Sequence, residues 1–112
     1  MLKFKSRWVD EPMDAILYVD AYANNGRMFI GLWCKEDEYF EPWTDITVNL
    51  FGPITDENCA FVDNTLCPEL GDFLERNNLA VPTGRVRQSG WASYPEYRFN
   101  MDEVRKHLAE EL

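Results

Sequence analysis

The sequence predicts an α+β fold: a single globular domain over 1–112, with a mainly antiparallel sheet of about five or six strands packed with two short helices at about 67–77 and 101–111. Three observations lead there. Apolar runs of strand length alternate with turn residues through most of the chain. Two segments switch to the three-and-four spacing of a helix, and 112 residues suffice for one hydrophobic core but not two.

Residues 15–23 (AILYVDAYA) and 28–34 (MFIGLWC) are rich in strand formers and flank Asn24-Asn25-Gly26-Arg27. An Asn-Gly step between apolar runs supplies the positive φ of a tight hairpin turn, so the two segments pair antiparallel. In DITVNLF (45–51), Ile46, Val48 and Leu50 alternate with Thr47 and Asn49, the period of a strand with one buried face, and Gly52-Pro53 stops it. CAFVD (59–63) is a further short strand. Between 67 and 77, Leu70, Phe73 and Leu74 fall on one helical face. Pro68 suits the first helical position, and Asn77-Asn78-Leu79 suits a left-handed C-cap with a trailing hydrophobe. Gly71 costs this helix about 1 kcal/mol relative to alanine, so packing has to hold it.

Pro82-Thr83-Gly84 and Ser89-Gly90 read as two turns with an arginine-bearing strand between them. From 91 to 99, Trp91, Tyr97 and Phe99 share the parity expected to fill the core, while Tyr94, Glu96 and Arg98 take the other. Pro95 lies within this run and favours an edge strand or a bulge, because proline cannot donate to a ladder. Asn100 caps the last helix, with Glu103 completing a capping box and Met101, Val104, Leu108 and Leu112 forming an apolar stripe.

Twenty acidic against eleven basic residues give a formal net charge of −9. Such a field repels DNA, RNA and anionic membranes, so neither direct nucleic-acid binding nor a membrane partner is expected. No apolar run approaches the roughly 18 residues of a spanning helix, and the N-terminal residues lack the apolar stretch of about 7 to 15 residues of a signal peptide. The expected location is cytoplasmic. Cys34, Cys59 and Cys67 fit a reducing compartment as small buried hydrophobes.

A search for chemistry nominates no catalytic, cofactor-binding or metal-ligating residue. The cysteine spacing matches no zinc pattern. Cys67 stands at a helix start, where the dipole lowers a thiol pKa, but its sole imidazole partner would be His107, which reads as an exposed helical histidine. Ser6, Ser89 and Ser93 lie in no nucleophile elbow, and Gly84 and Gly90 form no phosphate-binding fingerprint. The chain therefore reads as a non-enzyme without cofactors.

Two segments suggest binding. EDEYFE (36–41) lacks the ligand pattern of a calcium loop, and Glu36, Asp37, Glu38 and Glu41 form a candidate acidic patch for a basic partner. Residues 81–99 hold three arginines and four aromatics in an acidic chain. Arginine and aromatic residues dominate binding hot spots, which makes Arg85, Arg87, Tyr94 and Arg98 candidate partner-binding residues. An edge strand there also allows a homodimer.

TVN (47–49), CAFVDNT (59–65), LERNNLAVPTGR (74–85) and SGWASYPEYRFNM (89–101) resemble, in order and spacing, the bacterial family known as domain of unknown function 4313. Val-Asp-Asn-Thr stands where the family pattern has Asp-Thr-Asn, and the first 45 residues carry none of these motifs. The resemblance implies a setting among small proteins of conjugative elements and prophages, and no activity. The leading expectation is a non-enzymatic accessory or regulatory domain that binds protein. The alternatives are an acidic DNA mimic that inhibits a host nuclease or restriction enzyme, and a small hydrolase or ligand-binding enzyme.

Overall fold

A computed structural model describes residues 1–109 and shows an α+β domain whose strands form two four-stranded antiparallel sheets rather than one sheet of five or six. The first sheet is a meander of β1 (Leu2–Phe4), β2 (Met13–Ala21), β3 (Met28–Lys35) and β4 (Phe40–Asp45). β1 and β4 were not expected. β1 has only Leu2 and Phe4 to bury, and β4 runs through an acidic, proline-containing sequence that reads as a loop. Ala15, Leu17, Ile30, Leu32 and Cys34 point from β2 and β3 into the core. The turn joining these strands closes at Tyr22, whose N–H donates to the Arg27 carbonyl at 2.8 Å. Only Gly26 there has positive φ, at 71°, so a four-residue loop replaces the tight Asn-Gly turn.

The second sheet has the order β5 (Thr47–Val48), β6 (Cys59–Val62), β8 (Ala92–Phe99), β7 (Ala80–Ser89). The alternation expected over 45–51 fails, because Ile46 and Thr47 are both buried and the strand is two residues long. The chain here crosses between sheets. The Ile46 N–H donates to the Ile30 carbonyl at 2.9 Å, and the Thr47 hydroxyl accepts from the Ile30 N–H at 3.1 Å, standing in for a backbone acceptor. β6 is buried on both sides, with Ala60 and Val62 in the main core and Cys59 and Phe61 facing away from it. β8 is an interior strand, not an edge. Pro95 is tolerated because β6 pairing ends at Glu96, leaving only β7 beside the proline.

The first helix, α1 (Leu70–Arg76), buries Leu70, Phe73 and Leu74 as the spacing requires, and Phe73 meets Phe4 edge-on at 5.2 Å. Pro68 precedes the N-cap Glu69 rather than opening the helix. Asn78 at φ 57° and the Leu79 N–H on the Leu74 carbonyl at 2.9 Å make the expected left-handed C-cap. Asn100 accepts from the Glu103 N–H at 3.4 Å, but α2 (Met101–Val104) stops after one turn and passes into a 3₁₀ turn, Arg105–His107. The Ala109 N–H then donates to the Leu17 carbonyl at 2.7 Å, so the chain here extends the first sheet's edge instead of continuing a helix. Val104 is buried with Met101 and Leu108 packed nearby; Leu112 and the rest of the expected helix lie outside the described residues. Among the described residues no helix is long and apolar enough to cross a membrane.

Candidate functional site

On the outer face of the second sheet, cross-strand pairing groups Cys59 with Arg98, Phe61 with Glu96, and Arg87 with Tyr94. Residues 49–58, joining β5 to β6, lie against this face. What holds them follows from a register slip in β7. Pro82 pairs with Tyr97 and Val86 with Pro95, which leaves Thr83, Gly84 and Arg85 opposite Glu96 alone. The predicted Pro-Thr-Gly turn is therefore a bulge within a strand, made possible by Gly84 at φ 93°. A bulge re-aims side chains, and this one directs Thr83 and Arg85 at the carboxylate.

Glu96 has the outward parity read from the sequence, yet its side chain is 0% exposed. It accepts from the Thr83 hydroxyl at 2.7 Å, the Thr55 N–H at 2.8 Å and the Thr55 hydroxyl at 2.5 Å, with Arg85 Nη1 3.5 Å away. Burial pushes its carboxyl up, but the bonds from Thr55 and Thr83, aided by the Arg85 charge, outweigh burial and hold it below the ordinary glutamate range. A buried charge survives only when fully bonded in this way.

Arg85, Arg87 and Arg98, nominated from the sequence as partner-binding residues, lie on one face, but their guanidinium groups turn onto the chain's own loop. Arg85 donates to the Thr55 hydroxyl at 3.0 Å, and Arg98 to Asp56 at 3.0 Å. Arg87 lies 5.0 Å over the Phe61 ring and donates to the carbonyls of Phe51 and, at 3.1 Å, Pro53. Arg27, which the sequence reading missed, donates to the carbonyls of Leu50, at 3.0 Å, and Gly52. Four successive carbonyls are thus held by two guanidinium groups. Gly52 is favoured by its φ of 99°, and a Cβ there would displace the Arg87 guanidinium from the loop. Phe51, between these anchors, is 98% exposed. Among the described residues no carboxylate lies within ion-pair distance of Arg27 or Arg87.

The other nominated residues lie elsewhere or play different parts. Tyr94 is half-buried opposite Arg87. Trp91, expected in the core, is fully exposed at the tip of the β7–β8 hairpin, because Gly90 at φ 62° opens a two-residue turn that takes Trp91 out of the strand. Glu36, Asp37, Glu38 and Glu41 are all exposed around the β3–β4 turn, where Glu36, Asp37, Glu41 and Tyr39 line a hollow of about 140 Å³. His107 is half-buried, not exposed, with Nε2 3.2 Å from a Glu103 oxygen.

A cleft of about 360 Å³ is lined by Ser6, Trp8, Trp43, Thr44, Leu66 and Cys67. The Ser6 hydroxyl accepts from the Trp8 N–H at 3.1 Å. The Cys67 thiol is pushed up to about 11 by burial and then by the Glu69 charge, the opposite of an activating helix-dipole shift. Cys34, deeper in the core, is pushed up to about 12 by burial. Among the described residues no cluster of three or more histidine, cysteine or acidic side chains is placed to hold a metal.

Fold and site together define a small two-sheet α+β domain that carries an arginine-latched surface loop over a buried carboxylate. The chain belongs to the family described as Domain of unknown function (DUF4313), whose model matches residues 16–112. That match takes in β3, β4 and β2 from residue 16 onward, beyond the motifs seen between 47 and 101. No curated protein and no solved structure matches the chain.

Proposed function

We propose that this chain is a non-enzymatic accessory or regulatory domain, cytoplasmic and carried by a bacterial mobile element, that acts by binding another protein with Phe51 as the anchor. The supporting observation is that Arg27 and Arg87 hold the carbonyls of residues 50–53 while Phe51 stands almost wholly exposed between them. Fixing a loop before binding removes part of the ordering cost that association otherwise bears, about 0.5–1.5 kcal/mol per immobilised side chain. Burying the phenyl ring in a partner's pocket returns about 1.5–3 kcal/mol, roughly ten- to a hundredfold in affinity. The fitting partner surface is an apolar pocket with an acidic rim, because among the described residues both latching arginines bond neutral carbonyls and no carboxylate. The family's resemblance to small proteins of conjugative elements supports the genetic setting.

The acidic residues of 36–57 lend less support to DNA mimicry. They divide among the β3–β4 turn, the end of β4 at Asp45 and the loop over the second sheet, and Asp56 is already paired with Arg98. A photo-crosslinking phenylalanine analogue at position 51, irradiated in the native host, tests the proposal. A single protein adduct, absent with the analogue at Lys106 and lost when Arg87→Ala frees the loop, is the expected result. Adducts at Lys106 but none at 51 would place the binding surface elsewhere.

A further inference from the structure

We propose that the cleft lined by Trp8 and Trp43 binds an extended, proline-rich segment of another protein. Three stretches distant in the chain meet there: residues 5–12 joining β1 to β2, the strand β4, and residues 63–69 joining β6 to α1. They contribute Ser6 and Trp8, Trp43 and Thr44, and Leu66 and Cys67. The volume of about 360 Å³ falls within the roughly 300–1,000 Å³ typical of ligand sites. Trp8 and Leu66 are about four-fifths exposed, whereas Trp43 is half-buried and packed against the core, so one aromatic wall is fixed and the other stands free. Among the described residues the two indole rings form no aromatic pair with each other, which leaves the space between them open.

The hydrogen-bonding character of the lining identifies the occupant. No lining side chain is charged, and of the flanking cations Lys5 donates to the Ser6 carbonyl at 2.7 Å while Arg7 pairs with Glu69 at 3.2 Å, so a charged ligand finds no free counter-charge in the cleft. Among the described residues the indole N–H groups of Trp8 and Trp43 have no acceptor. No buried side-chain nitrogen or oxygen there lacks a partner, so the N–H of half-buried Trp43 opens to solvent. The Ser6 hydroxyl, 1% exposed, accepts the Trp8 backbone N–H at 3.1 Å, and its own proton has no acceptor among the described residues. Burial keeps the Cys67 thiol protonated. The cleft therefore offers unused donors set in apolar walls. Its complement is a ligand with acceptors, apolar rings and no donors of its own. Proline is the residue whose backbone carries a carbonyl without an N–H. Consecutive prolines hold an extended helix in advance, with three residues and about 9 Å to each turn and every carbonyl left unpaired. Aromatic grooves take such segments because the ordering cost is already met. The Phe51 loop lies over the outer face of the second sheet, so this cleft is a separate site and does not depend on what Phe51 binds.

Titration of the ¹⁵N-labelled full chain with a blocked proline decamer tests the proposal, because its four tryptophans give four indole N–H signals. Those of Trp8 and Trp43 are expected to move, with half-saturation below about 1 mM, while those of Trp33 and Trp91 stay in place. A blocked glycine-serine decamer, which has backbone donors and no rings, should move none of them. Trp8→Phe and Trp43→Phe each keep an aromatic ring but lose one N–H, and each should weaken binding about fivefold while the remaining indole signal still responds. Should Trp43→Phe not fold, Trp8→Phe decides, since Trp8 is 80% exposed. Stationary Trp8 and Trp43 signals, a response confined to Trp33 or Trp91, equal responses to the two peptides, or undiminished affinity in Trp8→Phe would each overturn the proposal.

Discussion

Replacing Glu96 by glutamine keeps the side chain's volume and removes its charge, which isolates what the buried carboxylate contributes. In the native site Oε1 accepts two hydroxyls and Oε2 accepts the Thr55 N–H, with Arg85 beside it. A glutamine with its amide nitrogen at the Oε1 position donates to both threonine hydroxyls, which rotate to accept, and its oxygen keeps the Thr55 N–H. The loss is then charge assistance rather than pairing. Bonds to a charged group contribute about 1.5–3 kcal/mol against about 0.5–1.5 for neutral ones, and Arg85 is partly exposed and counts for little, so the expected cost is about 2 kcal/mol. For a chain of this size that corresponds to a fall of about 8 °C in Tm. Because the folded carboxyl titrates below its unfolded value of about 4.3, this stabilisation is complete above about pH 5 and fades as pH falls through the folded pKa. Urea unfolding followed by tryptophan fluorescence should therefore show a gap between the two proteins at pH 7 that narrows markedly by about pH 3. Other depressed carboxylates, such as Asp56 and Glu69, are common to both and cancel. A variant equal to wild type at pH 7, or a gap that ignores pH, would refute the assignment of Glu96 as a charged, bonded anchor.

Two further outcomes follow from the same geometry. Arg87→Ala releases the Phe51 and Pro53 carbonyls and should speed cleavage after Phe51 by an aromatic-selective protease at least about tenfold, measured by mass spectrometry against cleavage after Tyr39; equal rates would show that the latch does not restrain the loop. Gly71→Ala, which by helix propensity alone gains about 1 kcal/mol, should instead destabilise, since the new Cβ would lie 2.7 Å from the Tyr97 hydroxyl that donates to Glu75 at 3.0 Å. In a Tyr97→Phe background the obstruction is gone, and the same alanine should stabilise by about 1 kcal/mol in urea unfolding.

What was legible in the sequence was what neighbours in the chain decide. The Asn78 C-cap of α1, the Asn100 cap of α2 and the strand β6 depend on residues within a few positions, and all three are where the sequence puts them. Arg85, Arg87 and Arg98 were legible as a group of candidate binding residues, and they lie on one sheet face. Their target was hidden, because the groups they bond lie 30 to 42 residues earlier in the chain. The burial of Thr47 and Glu96 was illegible for the same reason: a polar residue goes inside only where distant partners are waiting, here Ile30 for the first and Thr55 and Thr83 for the second. Arg27 carried one faint signal, a cation beside an Asn-Gly turn with no acidic neighbour in sequence. Trp91 was misplaced because a two-residue turn removes it from the parity count.

The central claim is that arginines fix an exposed loop in one conformation for display. Backbone ¹⁵N relaxation of Phe51 and Gly52 tests it without any partner. Order parameters near 0.85, equal to those of β6 and falling in Arg27→Ala or Arg87→Ala, are the expected result, whereas values below about 0.6 in the wild-type chain would contradict a preformed binding loop.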